Sequence, residues 1–300
     1  MWISRLSPAQ AEDVRALAAR AAATDGADPL NEEARFALRD DSARHLLHHD
    51  DGTLVGYLQW QPDYGTAQLV VDPAHRRRGV GRGLVEALRD ARSSLPGSPG
   101  TGEQHPGVWA FGDLPAAQGF AAALGWAPSR GLLVMERDLA GVEAPELPEG
   151  FTVRGYTPAD AEQFLAVNAA AFADHPEQGA LDAAGLAARI AEPWFDPDGL
   201  LLGLDADGVA GFHWTKLVDG TGEVYVLGVA PRAQGRGYGR VLLQAGLAHL
   251  EQAGAGHVVL YVDMAEPVAV RMYESAGFHV AHRDVLYAPE HGSVQKREQP

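Results

Sequence analysis

The stretch Val226-Leu227-Gly228-Val229-Ala230-Pro231-Arg232-Ala233-Gln234-Gly235-Arg236-Gly237-Tyr238-Gly239-Arg240-Val241 reads as a strand, a glycine-rich turn and the start of a helix. The run Val224–Val229 has the length and β-branched content of a strand. Pro231 stops it, because proline has no N–H to give a ladder. The spacing of Val241, Leu242, Ala245 and Leu250 is helical. Glycines let the backbone turn its N–H groups toward a bulky anion, and a helix N-terminus offers its unpaired N–H groups to the same point. Arg236 and Arg240 can add charge-assisted bonds. The expected ligand of the turn is a pyrophosphate.

Working outward, Leu69 to Arg82 aligns without gaps on Leu227 to Arg240. Asp51-Gly52-Thr53-Leu54-Val55-Gly56 is echoed by Asp207-Gly208-Val209-Ala210-Gly211, and Gly125-Trp126 by Gly277-Phe278. The period is far longer than that of a solenoid, so these are two tandem domains of one fold. The boundaries read as 1–140, a linker at 141–150, a second domain at 151–288 and a disordered tail at 289–300. Strands alternate with helices in each half, an α/β pattern. Ser7-Pro8 caps a first helix to about Ala23. Strands are expected at Ala43–His48, Leu54–Gln61, Ala67–Val71, Val108–Phe111 and Leu132–Leu139, helices to about Arg92 and over Pro115–Leu124, and a long loop at Ser93–Gly107.

Composition narrows the function. The net charge of −16 argues against nucleic acid and anionic lipid as partners. There is no cysteine, hence no disulfide, thiolate metal site or cysteine nucleophile. No run approaches the length of a membrane span, and the opening residues lack a signal-peptide pattern, so a cytoplasmic protein is expected. Only two lysines occur, Lys216 and Lys296, and Lys216 sits inside an otherwise strand-like run.

The two halves differ where chemistry needs groups. Glu223 lies four residues before Leu227, and the gapless register puts Gly65 in its place. Tyr273 lies in the helix Pro267–Ala276, and its counterpart is Phe120 or Ala121, neither with a hydroxyl. A carboxylate can serve as a general base and a phenol as a general acid. A backbone N–H near Gly228 or Val229 could hold a developing oxyanion. Glu223 is therefore the candidate base and Tyr273 the candidate acid.

Gln-x-x-Gly-x-Gly after a strand ending Gly-Val-x-Pro resembles the acetyl-coenzyme A loop of the GCN5-related N-acetyltransferases, the GNAT superfamily. That resemblance implies two tandem GNAT domains, each a mixed, mainly antiparallel sheet flanked by helices, with two central strands splayed around the cofactor. Four longer stretches are similar to the mycothiol synthase family of tandem GNAT enzymes. They are Asn168–Phe172 leading into His175-Pro176-Glu177-Gln178-Gly179, Trp194–Gly199, Gly211–Lys216 and Gly222–Val229. The family implies acetylation, by acetyl-CoA, of the cysteinyl amine of desacetylmycothiol, a cysteine–glucosamine–inositol conjugate, with the second half catalytic.

The same resemblance implies the contacts. The acyl donor would meet Leu227, Gly228, Val229, Gln234, Gly235, Arg236, Gly237, Tyr238, Gly239, Arg240, Glu266, Pro267, Val268, Ala269, Val270 and Arg271. In the first half it would meet Leu69, Val70, Val71, Arg77, Arg78, Gly79, Val80, Gly81 and Arg82. Glu32, Glu177, Lys216, Glu223 and Tyr261 would meet the amino-sugar substrate. No metal is implied, and a monomer is expected. Glu266 departs from the asparagine usual before the Tyr273 helix, with Asp113 a milder change in the first half. Bland roles stand beside these. Glu32 suits a helix N-terminus, Glu177 a solvated loop, and His175 and His213 structural hydrogen bonds. His45, His48 and His49 lack the carboxylate spacing of a zinc site. Two other readings are a tandem GNAT acting on another small amine and a non-catalytic acyl-CoA sensor.

Overall fold

The computed structural model describes residues 1–91, 106–173 and 178–290. The expected loop at Ser93–Gly107 and the tail beyond Glu290 fall largely outside the described residues, as do His175 and Glu177. The chain divides into two compact units, Met1–Leu132 with His282–Pro300, and Leu133–Ala281. The first division falls inside a strand rather than at the 141–150 stretch, and the last strand from His282 onward joins the first unit.

In chain order the first elements are α1 (Pro8–Asp25), α2 (Glu32–Phe36), β1 (Arg44–Asp50), β2 (Thr53–Gln61), β3 (Thr66–Val71), α3 (Val80–Ala91), β4 (Gly107–Ala110), α4 (Pro115–Leu124) and β5 (Trp126–Asp138). Then come β6 (Thr152–Gly155), α5 (Ala161–Ala171), α6 (Ala183–Ile190), β7 (Leu200–Asp205), β8 (Gly208–Val218), β9 (Thr221–Val229), α7 (Tyr238–Gln252), β10 (His257–Asp263), α8 (Pro267–Ser275) and β11 (His279–Pro289).

In unit 1, Ser7 accepts from Gln10 N while Gln10 Oε1 accepts from Ser7 N, a reciprocal cap ahead of Pro8. Asp51 (φ 46°) and Gly52 (φ 80°) make the tight turn between β1 and β2. Strands β1, β2 and β3 pair antiparallel, and β3 pairs parallel with β4. Side chains alternate across β2, so Tyr57 packs under α1 while Leu58 and Trp60 pack on Leu84 and Leu88 of α3. The far edge of β4 is closed by β11, with Val285 opposite Ala110 and Tyr287 opposite Val108.

Unit 2 repeats the plan. Strands β6 to β9 are antiparallel neighbours, and β9 pairs parallel with β10. Phe164 of α5 packs on Phe212 and Trp214, and on the other face Leu243, Leu247 and Leu250 of α7 pack on Val224, Val258 and Leu260. Met135 of β5 belongs to this second cluster. The stretch proposed as a linker is fastened along α7. Gly141 N and Val142 N donate to the Glu251 carboxylate, at 2.6 and 2.8 Å, and Gln244 donates to Glu143 O at 2.7 Å. Among the described residues, no helix is long and apolar enough to cross a membrane.

Candidate active site

In both units the two parallel central strands part. The β9–β10 ladder ends at Val224–Leu260, although the strands run on to Val229 and Asp263. The β3–β4 ladder ends at Gln68–Trp109. Backbone groups on the parted edges are then left for an extended ligand. Beyond each fork lies the glycine turn. In unit 2, Gly235 (φ 77°) and Gly237 (φ 81°) are left-handed, and Gly237 caps α7 with no side-chain bond to its N–H groups. Nothing stands within 4 Å of a Cβ built on either glycine, so these positions need glycine for φ and leave open space above the turn. The gapless counterparts in unit 1 are left-handed too, Arg77 at φ 62° and Gly79 at φ 88°. An arginine there costs about 1–2 kcal/mol.

Unit 1 holds a cavity of about 560 Å³. Its walls include Leu69, Val70 and Val71 on the parted strand, Arg77 and residues 79–82 around the turn, and Tyr287 of β11, while the expected contact Arg78 is not part of the lining. Turn, fork and cavity fit a phosphate-bearing, extended ligand of the acyl-CoA type.

The candidate base sits on a modified strand. Glu223 is the cross-strand partner of Lys216, with Lys216 Nζ 3.5 Å from its carboxylate. One step further the β8–β9 register shifts: Thr215 pairs with Val224 but Trp214 with Val226, which leaves Tyr225 as the extra residue of a β-bulge. A bulge re-aims the side chains on either side of it. The Lys216 ammonium lies over two rings, 5.1 Å from the Trp194 centroid and 5.2 Å from that of Tyr225. The Tyr225 hydroxyl accepts from Arg189 Nε at 2.9 Å. Trp194, Phe195 and Trp214 pack edge-on or tilted around this group, which is the structural work of the Trp194–Gly199 stretch.

Tyr273 is buried, with 7% of its surface exposed, and its ring packs edge-to-face on Phe278. Burial pushes its phenol well up, so it stays neutral and able to donate. The structure also resolves its counterpart. A Cβ on Gly239 would touch Met272 Sδ and Val229, and a Cβ on Gly81 would touch Phe120 and Val71. Phe120 therefore matches Met272, and Ala121 matches Tyr273. Gly65, in the place of Glu223, is a left-handed turn residue (φ 64°) outside β3. Strand β3 has six residues against nine in β9, and the β2–β3 register runs without a bulge.

Other expected residues are scattered. Tyr238 is in the core, stacked on Phe151 at 4.0 Å, so only its backbone faces the turn. Gln234 turns back to donate to Val229 O. Tyr261 (54% exposed) and Val268 (71% exposed) stand at the surface beside the fork. Glu266 caps α8 with no side-chain bond, in keeping with glutamate's poor capping. Asp113 is a correction: Leu114, not Asp113, is the cap residue of α4. Asp113 instead receives Arg283 and Tyr287 of β11. Glu32 lies in the first turn of α2, capped by Asn31. Gln178 is tied by two bonds to the buried Asn168. His213 is fully buried against α7, its Nδ1 on Leu242 O at 2.9 Å, and burial lowers it to about 4. His45 is buried on Tyr57, and among the described residues no cluster of His, Asp or Glu could hold a metal.

Sequence reasoning did not single out Tyr225, Arg189 or Trp194 as site residues. The signal for the first was present, since the second half carries the longer hairpin between the Gly211 and Leu227 landmarks.

The fork, the turn and the paired helices define the GNAT class. Residues 167–278 match the model described as the acetyltransferase (GNAT) family, and residues 41–127 that of an acetyltransferase (GNAT) domain. A GCN5-related N-acetyltransferase from Sphaerobacter thermophilus superposes with TM-score 0.69 at 25% identity, covering 95% of this chain and 94% of that one. A tandem GNAT protein from the clavulanic acid biosynthesis pathway does so at 0.68 and 20% identity, covering 96% and 97%. The chain belongs to the mycothiol acetyltransferase family. It is 45% identical to the mycothiol acetyltransferase of Nocardia farcinica, over 96% of each chain. To that of Thermobispora bispora it is 46% identical, over 94% of this chain and 97% of the relative.

Proposed function

We propose that the protein transfers the acetyl group of acetyl-CoA to the cysteinyl amine of desacetylmycothiol, giving mycothiol and CoA. The observation that carries this is the difference between the units. Both have the fork and the turn, but only unit 2 adds the Glu223–Lys216 pair and a buried tyrosine at position 273.

When bound, acetyl-CoA supplies a carbonyl activated as a thioester. Leu227, Gly228 and Val229 would hold its pantetheine arm, and Gln234 to Arg240 its pyrophosphate. Glu223 takes the proton that the acceptor amine must lose, directly or through a water. Tyr273, neutral through burial, donates toward sulfur as the thiolate leaves. Lys216 offers N–H donors to acceptor oxygens, which suits a polyol, while carboxylates accept from its hydroxyls. Glu32, Glu177 and Tyr261 are further proposed acceptor contacts. Unit 1 would hold acetyl-CoA without turning it over. The protein would act as a monomer in the cytoplasm.

The test incubates the protein with acetyl-CoA and desacetylmycothiol and follows thiol release and the acetylated product. Acetylation of the conjugate well above that of glucosamine or a polyamine is expected. Acetylation of another amine with none of the conjugate would overturn the substrate assignment.

A further inference from the structure

We infer that Tyr225 and Arg189 are positioning residues for the acceptor side of the site, acting through Lys216. The inference rests on Glu223 being the base of the proposed reaction.

Lysine carries four rotatable bonds, and an ammonium left in water would sample many positions. Here its position is set. The faces of Trp194 and Tyr225 share the one cation, at 5.1 and 5.2 Å, with the two ring centroids 4.9 Å apart. Ring faces are negative and attract a cation most strongly where water is thin, and the Lys216 side chain is only 15% exposed. The third direction is taken by the Glu223 carboxylate at 3.5 Å. Two aromatic walls and one carboxylate thus hold the ammonium.

The shelf is itself fixed. Tyr225 is the bulged residue, so its direction is not set by the regular alternation of β9. Its hydroxyl is tied instead to Arg189 Nε at 2.9 Å, and Arg189 Nη1 donates to Gly185 O within α6. Trp214, with no exposed surface, packs against the ring at 5.4 Å and 81°. A line of contacts runs from α6 through Arg189 and Tyr225 to Lys216 and Glu223.

Unit 1 shows that the fold does not require this line. Its register is unbulged, Ala67 stands in the gapless place of Tyr225, and Gln61 falls where Lys216 does, counting from Gly56 and Gly211. The same sheet is built there without the shelf. The shelf therefore belongs to the chemistry of unit 2. The ligand it prepares for is an acceptor bearing an amine for Glu223 and a hydroxyl or carbonyl oxygen for Lys216.

The test measures steady-state kinetics of the full chain with acetyl-CoA and desacetylmycothiol, for Tyr225→Phe, Tyr225→Leu, Arg189→Lys and Arg189→Ala. KM for acetyl-CoA should stay within about twofold, since the shelf touches only the acceptor side. Tyr225→Phe keeps the ring and should lower kcat/KM for the acceptor about threefold to tenfold. Tyr225→Leu removes the shelf and should lower it at least about tenfold. Arg189→Lys should fall between wild type and Arg189→Ala. In a Lys216→Met background, Tyr225→Leu should add almost nothing, because both changes act through one ammonium. Full acceptor kcat/KM in Tyr225→Leu, full additivity with Lys216→Met, or an equal rise in KM for acetyl-CoA would each overturn the inference. If Tyr225→Leu does not fold, the Arg189 pair with Tyr225→Phe decides by the same split. Full activity of Glu223→Gln would instead remove the underlying reading of the base, whatever the shelf variants do.

Discussion

The hydroxyl of Tyr287 donates to Asp113 Oδ1 at 2.7 Å. Asp113 is a left-handed residue (φ 42°) in the turn before α4, and its Oδ2 accepts from Arg283 Nε and Nη2 at 2.8 and 2.6 Å. Next to it Gly112 N donates to Asp284 Oδ1 at 2.7 Å. One turn of unit 1 thus takes hold of three residues of β11. Burial, with the Asp113 bond and charge, pushes the Tyr287 phenol up to about 12. Asp113→Ala should cost about 1–2 kcal/mol, chiefly because it leaves the buried Tyr287 phenol unpaired, while the Arg283 side chain, 56% exposed, returns to water. Tyr287→Phe should cost about 1 kcal/mol. Urea midpoints at constant m-value check both.

Glu223→Gln keeps size and removes the proton acceptor. Its kcat should fall by about 10² or more, with KM for acetyl-CoA little changed. Tyr273→Phe should lose about tenfold or more in kcat, and should lose least with acyl donors whose leaving thiol is more acidic. Thiol-release rates with acetyl-CoA and an activated thioester measure both.

Two histidines set an acid limit on stability. Burial lowers His213 to about 4, and burial, then the nearby Arg44 charge, lowers His45 to about 4 as well. The unfolded chain binds these protons near the ordinary value of 6.5, and the folded chain does not until about 4. Their contribution is therefore constant above pH 6.5, falls as pH drops from 6.5 to 4, and levels off below. Each is worth on the order of a few kcal/mol across that window. Asp205, held low by its bonds from Arg232, adds its own loss only at still lower pH. Urea unfolding at pH 7, 6 and 5 should show stability falling over both steps, and more over the second.

Gly246 lies inside α7, where alanine would ordinarily stabilise a helix by about 1 kcal/mol. A Cβ there would overlap the His213 ring. Gly246→Ala should instead destabilise by about 2–3 kcal/mol. His213→Ala should relieve most of that, so the double variant should be far from additive in a thermal-unfolding cycle.

What could be read from the chain follows from how local each feature is. The gapless match of Leu69–Arg82 to Leu227–Arg240 foretold a common turn, and Arg77 and Gly235 share a left-handed backbone. The helix over Pro115–Leu124 was legible because its ends are local, with Pro115 at its first turn and the left-handed Gly125 after its last residue. Glu223 and Tyr273 stood out because Gly65 and Ala121 cannot replace them. The longer second hairpin signals extra residues, but it does not place the bulge at Tyr225, because register is a property of two strands and β9 alone does not contain it. The grip of Asp113 on β11 joins residues far apart in sequence, so no local pattern marks it. The 141–150 stretch has a linker's composition, yet composition does not say which sheet the strands on either side will join.

The pairing of β11 with β4 bears on how the protein is made. Strand β11 from His282 onward belongs to unit 1, yet a ribosome produces it after every residue of unit 2. The nascent first half must therefore wait with β4 lacking one neighbour, while the second half already has all of its strands. An open strand edge is an invitation to wrong pairing. The order of completion is thus the reverse of the order of synthesis, and the half expected to hold cofactor without turnover is the one left exposed longest on the way to the native state.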